Sequence, residues 1–191
     1  TASRTQQTYE WPFPVRVTAT VAAADGSAVS GSVEFSSGAT VLGTVALTNG
    51  QAQLTLPETF PVGSNPITAT YLGTDTLAGS VSTPVNVLVV KAPSLTILTA
   101  SSSSQRRNTS NPVKLTAYVS VPFAGRASGS IEFKSGTTVV ATVPVASAKA
   151  TYTLPGNLSL GTYSYTATFV PTDSANIAGS KSNTVRITVR R

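Results

Sequence analysis

The stretch Ser30-Gly31-Ser32-Val33-Glu34-Phe35 returns 98 residues later as Ser128-Gly129-Ser130-Ile131-Glu132-Phe133. Working outward, the same shift relates Pro14-Val15-Arg16-Val17-Thr18-Ala19 to Pro112-Val113-Lys114-Leu115-Thr116-Ala117. It also relates Thr55-Leu56-Pro57 to Thr153-Leu154-Pro155 and Ile67-Thr68-Ala69-Thr70-Tyr71 to Tyr165-Thr166-Ala167-Thr168-Phe169. Two extra residues near Asn176 change the shift to 100, so that Pro84-Val85-Asn86-Val87 faces Thr184-Val185-Arg186-Ile187. A match over nearly the whole chain marks an internal repeat, and each copy is one structural unit.

Within each copy the period is two. Val15, Val17, Ala19 and Val21 alternate with Arg16, Thr18 and Thr20, and Val113, Leu115, Ala117 and Val119 alternate in the same way. This is the pattern of strands with one face in a core and the other in water. Further strands are expected at 30–36, 39–47, 51–56, 64–72 and 81–90. Their counterparts are expected at 128–134, 138–145, 149–154, 161–170 and 181–190. Turn residues separate them, among them Asp25-Gly26, Ser37-Gly38, Asn49-Gly50 and Val62-Gly63. No stretch has helical periodicity. The chain is therefore predicted to be all-β, two tandem antiparallel β-sandwiches. The domains are 1–90, with an N-terminal arm over 1–13, and 91–191.

The copies are unequal. The second opens with Ser94-Leu95-Thr96-Ile97-Leu98-Thr99, a strand that follows the short linker Lys91-Ala92-Pro93. Thr99-Ala100-Ser101 matches Thr1-Ala2-Ser3, so the first copy begins just after the place of its own opening strand: either the chain is cut there, or that strand comes from elsewhere. Charge is unequal too. Residues 1–90 set Arg4 and Arg16 against Glu10, Asp25, Glu34, Glu58 and Asp75, a net of −3. Residues 91–191 set eleven Lys and Arg against Glu132 and Asp173, a net of +9.

Composition narrows the chemistry. The chain has no Cys and no His. The common zinc, copper and iron sites therefore lack their ligands, and Ser–His or Cys–His catalysis lacks its base. There is no Met, which predicts a processed chain or an excised segment. No apolar run reaches the ~18 residues of a membrane span, and no signal peptide is expected to remain.

Ser-Gly-Ser-Val-Glu-Phe, then Ser-Gly-x-Thr-Val, then Thr-Ala-Thr-Tyr-x-Gly-Thr-Asp, resemble the bacterial Ig-like repeats of large cell-surface, adhesin-type proteins. The resemblance covers both copies. It implies immunoglobulin-like sandwiches outside the cell, used as stalks, spacers or adhesive segments, and it transfers no catalytic residue.

Each candidate for chemistry has a plain alternative. Glu34 and Glu132 sit between core residues and should face solvent, apart from a pairing with a nearby cation. Glycosidase chemistry needs two carboxylates across a cleft, and seven acids spread over two copies do not supply it. Asp75 and Asp173 read as Asx turns, since calcium needs several clustered oxygen ligands. Lys114 lies on a polar strand face and its counterpart is Arg16, which argues against a buried isopeptide bond. Ser101–Ser104 reads as a flexible surface loop. Tyr152, Tyr163 and Tyr165 keep step with core positions and read as packing.

The candidate interface residues are Trp11, Phe13, Arg106, Arg107, Arg190 and Arg191. Trp11-Pro12-Phe13-Pro14 stands where the second copy has Thr109-Ser110-Asn111-Pro112, so the repeat does not require its aromatics. They either pack over the open end of the sandwich or form a contact surface. The basic pairs lack the aromatic interleaving that stacks nucleic-acid bases, so a cell-wall polyanion, a glycan or an acidic protein surface is the expected class of partner, and no nucleic acid. No cofactor is expected.

The predicted function is a non-enzymatic extracellular segment of a stalk or fibre at the bacterial surface. An acidic unit meeting a basic one on the next copy makes a contact that propagates head to tail. A sandwich lacking one strand invites strand addition from a neighbour. The arm Thr1–Phe13 either supplies such a strand or pairs with its own domain. The alternatives are an adhesion or glycan-binding module and an accessory domain of a larger secreted protein.

Overall fold

The computed structural model of the chain describes residues 1–122 and 127–191. The turn expected after Val121, the counterpart of Asp25-Gly26, lies outside them. The chain divides into two units, Thr1–Lys91 and Ala92–Arg191, and no helix occurs among the described residues.

In unit 1 the strands are β1 (Gln6–Thr8), β2 (Arg16–Thr20), β3 (Ser32–Ser37), β4 (Thr40–Ala46), β5 (Gln51–Thr55), β6 (Gly63–Tyr71), β7 (Ser80–Val81) and β8 (Val85–Val90). One sheet runs β1-β8-β6-β3-β4, with β7 also on β6, and the other is the pair β2-β5. Unit 2 adds β9 (Leu95–Ala100). It then repeats the series as β10 (Ser104–Arg106), β11 (Lys114–Ser120), β12 (Gly129–Ser135), β13 (Thr138–Pro144), β14 (Lys149–Thr153), β15 (Gly161–Pro171), β16 (Ser180–Lys181) and β17 (Val185–Arg190). Its sheets run β10-β17-β15-β12-β13, with β16 on β15, and β14-β11-β9. The smaller sheet has three strands in unit 2 and two in unit 1.

The alternation in the sequence builds the two cores. Val15, Val17, Val33, Phe35, Ile67 and Val87 are at most 4% exposed in unit 1. Val113, Leu115, Ile131, Phe133, Tyr165 and Ile187 repeat them in unit 2, at most 3% exposed. β-branched and aromatic side chains suit this pleated, one-sided burial. Even the bulge is copied, between Phe35 and Ser36 and between Phe133 and Lys134.

Two features differ from the sequence reading. The strands expected at 81–90 and 181–190 are each broken in two. Ser82 causes the first break: its N–H donates to Ala69 O at 2.9 Å, and its hydroxyl accepts from Ala69 N at 3.0 Å. Ser182 repeats both bonds with Ala167, at 2.8 and 2.9 Å. A hydroxyl thus replaces a carbonyl in the ladder and shifts the register by one. The run Ser101–Ser104 is not a loose loop either. Ser101 Oγ accepts from Lys114 N at 3.0 Å, Ser102 Oγ accepts from Ser104 N at 3.2 Å, and Ser104 starts β10. The run carries the chain from one sheet to the other. Of the linker Lys91-Ala92-Pro93, Ala92 belongs to unit 2, buried and bonded to Asn176 O and Ala178 N at 2.8 and 2.9 Å.

The hairpin turns give a direct test of local strain. In unit 1 the β4–β5 turn places Asn49 at φ 51° and Gly50 at φ 74°, residues that favour the left-handed region. In unit 2 the same turn forces Ser147 to φ 50° and Ala148 to φ 61°, where a Cβ crowds the carbonyl. Importing the unit 1 pair as Ser147→Asn with Ala148→Gly is expected to stabilise unit 2 by about 1–2 kcal/mol. Thermal melts of the double variant check this, and an unchanged midpoint would refute it.

Candidate functional site

Two places depart from plain sandwich packing, an open groove in unit 1 and a basic cluster in unit 2. A third feature, a buried glutamine, fixes the framework of both.

In unit 2, β9 pairs with β11 in the register Ala100–Leu115 through Leu95–Ser120. Its far edge is tied down as well. Asn183 Oδ1 accepts from Leu98 N at 2.9 Å, and Asn183 Nδ2 donates to Leu98 O at 3.0 Å. Thr96 and Ser94 both reach the Ser180 hydroxyl, at 2.7 and 2.8 Å. Leu98 and Thr96 are 2% exposed. In unit 1 the corresponding edge of β2 carries a remnant of that strand. Ala2 bridges Val17, Ser3 N donates to Arg16 O at 2.8 Å, and Thr18 N donates to Thr1 O at 2.8 Å. Among the described residues no further strand pairs with this edge of β2. A groove of about 450 Å³ runs there, floored by Val17, Val33, Phe35 and Tyr71 and rimmed by Ser80 and Thr83. Its lining contains no charged side chain.

The arm does not fill the groove. Gln6–Thr8 forms β1, parallel to β8 of the same unit, which settles the arm as a strand of its own domain. Trp11 and Phe13 lie in the loop after β1 and do not line the groove. Their rings stand 6.3 Å apart, with Trp11 half-buried and Phe13 63% exposed. Arg4 donates to the carbonyls of Phe13 and Pro14.

The arginines come together through a pairing that the local pattern did not reveal. β10 runs parallel to β17 with Arg106 opposite Arg190, and Arg107 N donates to Arg190 O at 2.8 Å. Arg106, Arg107, Arg190 and Arg191 are all exposed at this sheet edge. At the matching edge of unit 1 stand Thr8, Tyr9, Val90 and Lys91.

Gln7 and Gln105 were absent from the sequence candidates. Gln7 is 3% exposed; it accepts from Val15 N at 2.9 Å and donates to Pro57 O at 2.8 Å. Gln105 is 7% exposed; it accepts from Val113 N at 3.0 Å and donates to Pro155 O at 2.9 Å. Each stands on a strand of the larger sheet and bonds the ends of two strands of the smaller one. The available signal was their match at the shift of 98 residues.

The carboxylates are scattered. Glu132 pairs with Lys134 at 3.0 Å on the same strand face, while Lys134 is replaced by Ser36 in unit 1. Asp173 accepts from Asn176 N and Nδ2 at 3.2 and 3.0 Å. In the other loop Thr74, rather than Asp75, accepts the turn bond, from Leu77 N at 3.1 Å. The bond from Ser27 N to Asp25 holds that carboxyl below its ordinary pKa. No group of three metal-ligating residues forms among the described residues. Tyr165 is buried against Tyr163, and burial pushes its phenol up. Tyr152 packs on Phe133 at 5.7 Å.

Three solved structures are similar across the chain. The fibronectin(III)-like modules of Clostridium thermocellum CbhA are 19% identical, with TM-score 0.40, covering 97% of this chain and 88% of theirs. The Yersinia pseudotuberculosis adhesin InvE is 16% identical, with TM-score 0.44, covering 97% of this chain and 57% of its own. The D0-D1 domain of intimin is 18% identical, with TM-score 0.37, covering 98% and 96%. No curated protein matches the sequence. The model of the bacterial Ig-like domain (group 3) matches residues 1–90 and again 98–190, one match for each sandwich. With both units accounted for, the chain belongs to the bacterial Ig-like domain family, as two tandem members.

Proposed function

We propose that this chain is a non-enzymatic structural segment of a bacterial cell-surface protein, a stretch of stalk or fibre. The observation that carries this reading is the repetition of one sandwich in both units, matched by the bacterial Ig-like domain model over residues 1–90 and 98–190. The opposite net charges of the two halves support head-to-tail contact between copies. Family membership supports a structural or adhesive role at the surface. Purified protein at rising concentration is expected to form end-to-end assemblies, visible by electron microscopy and light scattering. They should weaken above roughly 0.5 M salt, where surface charges are screened. Short monomers at every concentration in physiological salt would overturn the fibre reading.

The gathering of four arginines favours a second reading, adhesion to an acidic polymer. Replacing Arg106, Arg107, Arg190 and Arg191 with Ala should then abolish retention on a polyanion column at physiological salt. Unchanged retention would remove this reading.

A further inference from the structure

We propose that the outward face of the larger sheet of unit 2 is a docking surface for a linear acidic polysaccharide. The carboxylates of the polymer meet the cations of β10, β16 and β17, and its sugar hydroxyls meet the serine and threonine side chains between them. The proposal rests on the acidic-polymer reading above. It moves the site from the basic pairs at the strand ends onto the sheet face, and it names the polymer.

Strand alternation sorts the side chains of this sheet. Gln105, Phe133, Ala167, Ile187 and Val189 are buried and face the core. Arg106, Lys134, Arg186 and Arg190 alternate with such residues and face outward, and Lys181 joins them opposite Thr168. The one acid of the face is Glu132, and Lys134 takes it up at 3.0 Å. Arg106, Lys181, Arg186 and Arg190 are exposed, and among the described residues none of them has a carboxylate within ion-pair distance. The internal repeat shows that the fold does not require these charges. At the same five positions unit 1 has Thr8, Ser36, Val81, Asn86 and Val90, in a sheet of the same strand order. Glu34 keeps the place of Glu132, so the face carries a net of −1 in unit 1 and +4 in unit 2.

Hydroxyls stand beside each of the four exposed cations. Arg186 is opposite Ser164 and Lys181 is opposite Thr168. The Arg106–Arg190 pair lies two residues along from the rung Ser104–Thr188–Thr162, where the two threonine hydroxyls are 3.4 Å apart. A guanidinium fork matches a carboxylate, and rows of hydroxyls match a polymer that itself carries hydroxyls. No aromatic side chain stands at an outward position of these strands, so nothing there stacks an unpaired base. A sheet several strands wide does not enter a duplex groove, which admits a helix or a two-stranded ribbon. The face therefore suits an acidic polysaccharide rather than a nucleic acid.

The probe is polygalacturonate, titrated into the full chain at physiological salt and followed by calorimetry and amide NMR. The expected result is saturable binding with shifts at Ser164, Thr168, Arg186 and Thr188, lost above roughly 0.5 M salt. Lys181→Val with Arg186→Asn takes the residues that unit 1 has at these positions, and it should weaken binding at least about tenfold. Arg107→Ala with Arg191→Ala should cost far less. Neutral dextran should not bind, and polyphosphate and duplex DNA should bind more weakly than the polysaccharide. Transferring the face to unit 1, by Thr8→Arg, Ser36→Lys, Val81→Lys, Asn86→Arg and Val90→Arg, should create a second site with shifts at Ser64 and Thr70. This gain decides the matter if the unit 2 variant does not fold. No binding, shifts off this face, full affinity in a folded Lys181→Val, Arg186→Asn variant, equal or tighter binding of polyphosphate or DNA, or no second site on a folded transferred face would each overturn the proposal. The reading beneath it fails separately. Binding lost with Arg107 and Arg191 but kept without Lys181 and Arg186 puts the polymer at the strand ends and removes only the sheet face, whereas a chain that binds no polyanion loses both.

Discussion

Replacing Gly129 with alanine is expected to unfold or nearly unfold unit 2 while leaving unit 1 intact. Gly129 opens β12 at φ 151° and pairs with Pro171. A Cβ there would lie 2.2 Å from Val170 O and 2.9 Å from the Phe169 ring. Neither neighbour can retreat, because Val170 O belongs to the central strand and Phe169 is 1% exposed. The backbone also sits in a region that an L side chain rarely adopts. Relief requires parting β12 from β15, at a cost of at least about 3 kcal/mol. The repeat provides its own control. Gly31 occupies the same motif position at φ 102°, where a Cβ would meet Tyr71 Cε2 at 3.2 Å and Gly73 O at 3.3 Å. Contacts of 3.2 and 3.3 Å ask the neighbours to give far less than one of 2.2 Å does, so Gly31→Ala should cost unit 1 less than Gly129→Ala costs unit 2. Calorimetry of both variants checks the order, and equal losses would refute it.

The second large effect is expected at the buried glutamines. Gln7→Met and Gln105→Met keep the volume and remove both hydrogen bonds. Each strands the N–H of Val15 or Val113, and these residues are 0% and 3% exposed. A buried unsatisfied donor and a lost bond together cost about 2–4 kcal/mol. Trp11, the one tryptophan of the chain, stands four residues from Gln7 and reports unit 1 by its fluorescence. The Gln7→Met variant should therefore lower the denaturant midpoint seen by Trp11, while Gln105→Met leaves that midpoint in place. A Trp11 midpoint that moves equally for both would show that the two units do not unfold separately.

Most of the fold was legible because a period of two over Val15–Val21 or Val113–Val119 is a strong local signal, and the repeat doubled it. The short strands β1 and β10 were missed for a physical reason. Gln6-Gln7-Thr8 and Ser104-Gln105-Arg106 have no apolar alternation, since their inward residue is a glutamine satisfied by backbone groups. The breaks at Ser82 and Ser182 were equally silent, because a hydroxyl replacing a carbonyl leaves the hydrophobic pattern intact. The groove could be anticipated from the unmatched Ser94–Leu98 segment. The arginine cluster could not, because Arg106 meets Arg190 through a parallel pairing between distant parts of the chain. Trp11 and Phe13 were visible as departures from the repeat, but sequence alone did not place them away from the open edge.

The parallel pairings β1–β8 and β10–β17 have a mechanical consequence. In each, a strand near the start of the unit runs alongside the strand that ends it, both pointing the same way. Tension drawn from the early strand to the last one pulls such neighbours past each other along their length. The slanted bonds of a parallel ladder are then strained in shear and must yield together, whereas a hairpin pulled from its open end yields one rung at a time. The load also reaches Gln7 and Gln105, which stand in the middle of those ladders, so the same side chains that join the sheets at rest resist their sliding under force.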